Sequence, residues 1–325
     1  MKRRQHLITA LLAAAVGMVP GCKQRTDPTA TQPAGSKTRK TNIALIMKAR
    51  TNPFFQKMAD GALAAAKKHD VELIILSVDK ETDFDKQAGH VGTVVAQGVD
   101  AILIAPADSK AIVAPLLDAQ KRKIPILNLD NRIHAPTAKT AGLNVLTFIG
   151  PNNEDGAEKA ADYLIERIGG QGEVAMLEGI RGVDNAEARK RGFLKAVKKT
   201  AGKVKIVTSE SAEWETDRAQ RKMEGILNRF PNLKGIFCAN DMMALGAIAA
   251  IEAAGKRGKI FVTAYDNLDA ARNAIKAGRM HATIEQHPFK MGEQGVELAL
   301  KVLAGNTIPK EVPIPTDLVT SKDVK

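Results

Sequence analysis

From Asn42 to the end, the 325-residue chain alternates short β-branched runs with helical stretches, and it does so in two successive sets. In the first set, residues 43–47, 71–76, 101–104 and 124–129 read as strands. Residues 55–68, 84–97 and 111–121 read as helices, the first of them opened by the Asn52-Pro53 turn. The strands are continuous apolar runs rather than apolar/polar alternations, so both faces must be covered, which is the pattern of a parallel sheet sandwiched between helices. The pattern then restarts. Strand runs at 147–150, 173–177, 204–208, 235–238 and 260–264 alternate with helical stretches at 154–167, 185–199, 216–229, 242–254 and 268–277. A chain of this length is long enough for two domains, each burying its own core. The expected fold is therefore α/β, with two doubly wound Rossmann-like domains.

The first 40 residues are a different material. Lys2, Arg3 and Arg4 precede an apolar run over 7–19, too short for a permanent membrane span and suited to the h-region of an export signal. The run ends in Val19-Pro20-Gly21-Cys22, which resembles a bacterial lipobox, so 1–22 is expected to be a signal peptide and Cys22 the lipid acceptor. Residues 23–40 carry almost no apolar side chains, cannot bury enough surface to offset their ordering entropy, and read as a disordered tether.

Residues 1–40 also hold eight Lys or Arg and one Asp, which is seven of the formal +12 and leaves +5 for the body. The body intersperses both signs and offers no basic stripe with aromatics, so no nucleic-acid partner is expected. The two cysteines, Cys22 and Cys238, form no paired framework.

In open α/β sheets, ligands bind beyond the carboxyl ends of the strands. The loop after the first strand carries Lys48, Asn52, Phe54 and Phe55, two adjacent aromatics in a chain that has only 12. An aromatic face can cover the apolar C–H face of a sugar ring, while amides, carboxylates and cations bond its hydroxyls. Asp130 and Asn131 end another strand. In the stretch 185–192, Arg189 and Arg191 sit two positions apart, about 200° around a helix, so only one of them can face a given cleft. Trp214, the one tryptophan, lies among charges, which argues for exposure; Asn240, Asp266 and Gln286 follow further strands. Asp241, just ahead of Met242, has the simpler reading of a helix cap.

As a set, these segments resemble the periplasmic ribose- and allose-binding receptors of ABC importers. The resemblance is carried in order by Asn52-Pro53-Phe54-Phe55, Ala107-Asp108-Ser109, Asn128-Leu129-Asp130, Ala188-Arg189-Lys190-Arg191-Gly192, the stretch 238–246, Asp266 and Ala282-Thr283-Ile284-Glu285-Gln286. It implies the type I periplasmic binding protein fold with a three-crossing hinge. The N-terminal lobe would be 41–150 plus 287–313 and the C-terminal lobe 151–286 plus 314–325. It implies ligand contacts at Asn52, Phe54, Phe55, Asp130, Arg191, Trp214, Asn240, Asp266 and Gln286; Lys48 and Asn131, at the ends of their strands, are expected to join them. It further implies a monosaccharide ligand, an ABC permease with its ATPase as partners, a monomer, a periplasmic or cell-envelope location with membrane contact only through the lipid, and no cofactor or metal.

The departures bear on the sugar. Ribose receptors have Ser where Lys48 stands, Asn near Ala105 and Arg at the position of Asn131. Lys48 and the Trp214 segment are allose-like, whereas Arg191 is the ribose-type choice. Enzyme motifs are missing: there is no His-Glu-x-x-His, no Gly-x-Ser-x-Gly and no phosphate-binding Gly-x-x-x-x-Gly-Lys, and the six histidines lack ligand spacing. A sensor of the same fold, presenting a sugar or sugar alcohol to a chemoreceptor or sensor kinase, would show the same binding face.

Overall fold

The computed structural model describes residues 39–324. The expected signal peptide, Cys22 and residues 23–38 of the expected tether lie outside the described residues.

The first half runs β1 (Asn42–Ala49), α1 (Pro53–Lys68), β2 (Glu72–Val78), α2 (Phe84–Gln97), β3 (Ala101–Ile104), α3 (Val113–Lys121), β4 (Ile126–Leu129), α4 (Ala135–Ala141) and β5 (Phe148–Pro151). The second runs α5 (Asn153–Arg167), β6 (Gly172–Glu178), α6 (Asp184–Lys198), β7 (Val204–Ser211), α7 (Thr216–Arg229), β8 (Leu233–Cys238), α8 (Asp241–Ala253), β9 (Phe261–Thr263), α9 (Asp269–Lys276) and β10 (Ala282–Glu285). The chain closes with α10 (Pro288–Leu303), β11 (Glu311–Ile314) and β12 (Asp317–Thr320).

Two six-stranded sheets result, ordered β11-β5-β4-β3-β1-β2 and β12-β10-β9-β8-β6-β7. All pairings are parallel except that of β12 with β10. The strand at 147–150, which the sequence placed at the head of the second set, is hydrogen-bonded into the first sheet between β4 and β11. The chain passes between the sheets three times: at Asn152, at Gln286 and His287, and between β11 and β12. This is the doubly wound, three-crossing architecture of the type I periplasmic binding fold.

Both faces of the first sheet are buried, as its unbroken apolar strands require. Ala44, Ile46, Ile102 and Ile104 pack on one face with Val91, Val94 and Leu116, while Ile43, Leu45 and Leu103 pack on the other with Met58 and Ala62. In the second sheet Val174, Ala175, Met176 and Leu177 are all fully buried. Each of the Val, Leu, Ile and Met side chains contributes about 1.5–3 kcal/mol.

Helix α10 docks on α1 at a distance only glycine permits. A Cβ at Gly292 would meet the Met58 carbonyl oxygen at 1.9 Å, and one at Gly61 the Phe289 carbonyl oxygen at 1.9 Å. Three helices start on asparagine caps: the side chains of Asn52, Asn152 and Asn240 accept from backbone N–H groups in the first turns of α1, α5 and α8.

Candidate functional site

The carboxyl ends of both sheets face one shared cavity, about 240 Å³ of space counted together with its opening to solvent. From the first sheet come Lys48 at the end of β1, Asn52, Phe54 and Phe55 at the start of α1, Glu81 after β2 and Asp130 after β4. From the second come Asn185 and Arg189 on α6, Trp214 after β7, Asn240 after β8 and Asp266 after β9; Gln286 lies on a crossing.

Several of these side chains are aimed by backbone that L-residues rarely adopt. Asp130 has φ 61°, Trp214 φ 69° and Asp266 φ 122°. Such conformations cost free energy and persist where the surroundings fix them, commonly at functional sites.

The charges are paired within each side of the cavity. Lys48 Nζ lies 3.6 Å from Glu81 Oε2 and 3.6 Å from Asp130 Oδ2. Asn52 Nδ2 donates to Glu81 Oε1 at 3.3 Å. Arg189 donates from Nε to Asn153 Oδ1 at 2.8 Å, from Nη1 to the Ala239 carbonyl at 2.7 Å and from Nη2 to Gln286 Oε1 at 3.1 Å. Its Nη1 stands 3.5 Å from Asp266 Oδ1, which also accepts from Gln286 Nε2 at 2.6 Å. Burial pushes the Asp266 carboxyl well above its ordinary range despite Arg189, with the neighbouring carboxylates Asp241, Glu81 and Asp130 adding to the push. Burial likewise raises Glu81 against the opposing pull of Lys48 and of the Asn52 hydrogen bond. Two cations thus face three carboxyl groups of which two are biased toward the neutral form, an environment suited to an uncharged polar ligand.

The walls are aromatic. Phe54 and Phe55 meet edge to face at 5.1 Å, and Lys48 Nζ lies 5.9 Å from the ring centroids of both Phe55 and Trp214. Three buried polar atoms around the cavity have no hydrogen-bond partner: the acceptors Asp130 Oδ2 and Asn185 Oδ1 and the donor Trp214 Nε1. Buried polar groups are normally satisfied, so three orphans around one cavity mark where a hydroxylated ligand would bond. Among the described residues no cluster of His, Cys, Asp and Glu could hold a metal ion, and no described histidine lines the cavity.

Nine of the residues expected from the sequence meet here: Lys48, Asn52, Phe54, Phe55, Asp130, Trp214, Asn240, Asp266 and Gln286. Trp214 is 5% exposed, a buried wall of the cavity rather than a surface residue.

Two expected residues do not meet it. Arg191 points away from the cavity, its side chain 57% exposed and paired through Nε with Glu154 Oε2 at 2.9 Å. The helical geometry decides this: Asn185 faces the cavity and Arg189, four residues on, shares its face, while Arg191 is turned about 200° from Arg189. Asn131 is fully buried, but the left-handed turn at Asp130 carries it out of the cavity wall. Its Nδ2 donates to the Pro106 carbonyl at 2.9 Å and to Ser109 Oγ at 3.2 Å. Glu81, Asn185 and Arg189 are the cavity residues not anticipated. Glu81 lies in a polar loop after a strand, the same signal that found the others, and the four-residue spacing from Asn185 would have selected Arg189.

A two-sheet body with a polar, aromatic-walled cavity between strand ends is a two-lobed α/β binding protein. The sequence profile of the periplasmic binding protein domain family matches residues 43–307, and the chain belongs to that family. It is 39% identical over 288 residues to the D-ribose/D-allose-binding protein of Pseudomonas aeruginosa, covering 87% of this chain and 89% of the relative. It is 35% identical over 280 residues to the D-allose-binding periplasmic protein of Escherichia coli, covering 86% and 90%. Among solved structures, an ABC transporter periplasmic solute-binding protein from Actinobacillus succinogenes with bound D-allose superposes with a TM-score of 0.83 at 41% identity, covering 88% of this chain and 99% of that one. The family is periplasmic, and among the described residues no helix is long and apolar enough to cross a membrane.

Proposed function

We propose that the protein is the solute receptor of an ABC sugar importer and binds one monosaccharide of the D-allose or D-ribose kind between two closing lobes. The lobes are 41–150 with 287–313 and 151–286 with 314–325, and the three crossings between them form the hinge. The observation that carries the reading is the cavity itself, to which both sheets contribute buried polar atoms without hydrogen-bond partners: Asp130 Oδ2 from one, Asn185 Oδ1 and Trp214 Nε1 from the other. Different ring hydroxyls can donate to the two acceptors and accept from the indole N–H, while Phe54, Phe55 and Trp214 cover the apolar faces of the ring. Lys48 and Trp214 favour the allose-like side of this choice, and with Arg191 outside the cavity the ribose-type argument from that residue falls away.

Closure desolvates the sugar and completes its hydrogen bonds, so the ligand selects the closed state, which is the shape a permease would read. The receptor acts as a monomer; a size-exclusion mass of two chains would contradict this. Cys22 would tether it to the envelope, and an unmodified mature N-terminus by mass spectrometry would contradict that part.

The test of the binding reading is a thermal-shift screen against pentoses, hexoses, deoxysugars and polyols. A sugar that binds only the folded state stabilises it by about 2.7 kcal/mol at a hundredfold excess over Kd. D-allose or D-ribose should raise the melting temperature; a flat response to the whole panel would overturn the reading.

A further inference from the structure

Helix α6 begins without a cap of its own. Val183 precedes it and offers no side-chain acceptor, so the N–H groups of Asp184 and Asn185 in its first turn need partners from elsewhere. They find them on the other lobe. Ser109 Oγ accepts from Asp184 N at 3.0 Å, and Asn131 Oδ1 accepts from Asn185 N at 3.1 Å. Both acceptors lie on loops that follow strands of the first sheet, β3 and β4.

The acceptor pair is set in advance. Asn131 Nδ2 donates to the Pro106 carbonyl and to Ser109 Oγ, and the backbone carbonyl of Asn131 accepts from Asn128 Nδ2 at 2.8 Å. The Pro106 carbonyl can only accept and the Asn185 amide can only donate, so the Asn131 amide has one orientation that serves both. Ser109 is 2% and Asn131 0% exposed.

We infer that Ser109 and Asn131 form a clasp that closes the lobes by capping α6 from across the cleft, which makes them positioning residues for the ligand. This rests on the reading that the lobes open and close around a sugar. When the lobes part, the N–H groups and their acceptors return to water. When the lobes meet, the bonds form in dry surroundings and seat the first two turns of α6. Those turns carry Asn185 and Arg189 into the cavity. Asn185 joins the two events, because its N–H takes the clasp while its Oδ1 is one of the unpartnered atoms at the cavity.

The test removes one N–H without breaking the helix. Asp184 is the first residue of α6, where proline is tolerated, and Val183 before it is already extended at φ −84° and ψ 132°. Comparing Asp184→Pro with Asp184→Ala isolates the N–H, since both lose the carboxylate. Using the sugar that most stabilises the wild type, Asp184→Pro should bind about tenfold more weakly than Asp184→Ala, as for a lost helix cap. The loss should lie in faster release with an unchanged association rate, and the melting temperatures of the two sugar-free variants should agree. In a Ser109→Ala background the two should bind alike. Asn131→Ala, which leaves α6 untouched, should also release sugar about tenfold faster.

If the wild type binds and Asp184→Pro matches Asp184→Ala, or if Asn131→Ala releases sugar at the wild-type rate, the clasp is overturned and the binding reading stands. A wild type that binds no sugar overturns the reading and the clasp with it.

Discussion

Replacing Arg189 by Met probes the site at its most connected residue. The substitution keeps the apolar stem and removes the guanidinium. That strips donors from Asn153 Oδ1, the Ala239 carbonyl and Gln286 Oε1, takes the cation from beside Asp266, and ends the stacking of the guanidinium 3.8 Å over the Tyr265 ring. Arg189 is 3% exposed and Asp266 5%, so water cannot replace what is lost. Removing one partner of a buried pair costs about 3–5 kcal/mol. The expected loss is about 3 kcal/mol, or roughly 10 °C in melting temperature for a domain of this size. Sugar affinity should fall at least about a hundredfold, because the loss also frees Gln286 and Asp266 at the cavity. Arg191→Met is the control: its own side chain is 57% exposed and its partner Glu154 is half-buried at the surface, so stability and affinity should stay within about 0.5 kcal/mol of wild type. Thermal melting and titration calorimetry read both quantities. Wild-type affinity in Arg189→Met, or a greater loss in Arg191→Met, would refute the assignment of the inward arginine.

Three further outcomes follow from the same geometry. Asp130→Asn replaces an unpartnered acceptor oxygen beside Lys48 while tolerating the backbone at φ 61°; calorimetry should show binding weaker by about 2 kcal/mol, and unchanged affinity would contradict the role of Asp130. Gly179→Ala would set a Cβ 2.0 Å from Trp214 Cζ2, forcing the indole to move. The variant should show altered tryptophan emission and weaker sugar binding, and an unchanged emission with wild-type affinity would count against the placement of Trp214.

Burial pushes Asp241 up to about 7 from 3.8, so between those values the folded protein holds a proton that the unfolded chain has released. The stability Asp241 contributes is therefore fully present below about pH 4 and lost as pH rises through about 7. Urea midpoints across that range should fall less steeply with pH in Asp241→Asn than in wild type; parallel profiles would contradict the assignment.

The parallel-sheet halves were legible because buried strands leave unbroken apolar runs, and helices such as 84–97 and 216–229 were bounded by strong local signals. Helix α10 was not, since Gly292 and Gly295 depress helical propensity for the sake of close contacts, with α1 and with Leu103 and Leu129 of the first sheet respectively, that exist only in the folded chain. Strand β11 carries Pro313 and β12 is four residues long, so neither announces itself locally. The same division holds at the site. Strand-end position was enough to find Asp130, Asn240 and Asp266. Choosing between Arg189 and Arg191 needed the rotational phase of α6 against the cavity. The departure of Asn131 from the cavity depends on a left-handed turn at Asp130 that an aspartate permits without demanding.

Closure around a sugar is the central step, and small-angle X-ray scattering of the protein, titrated with the sugar that most raises its melting temperature, measures it directly. The radius of gyration should fall to a plateau at one equivalent of sugar. Calorimetric saturation of the same sample with an unchanged radius of gyration would contradict it.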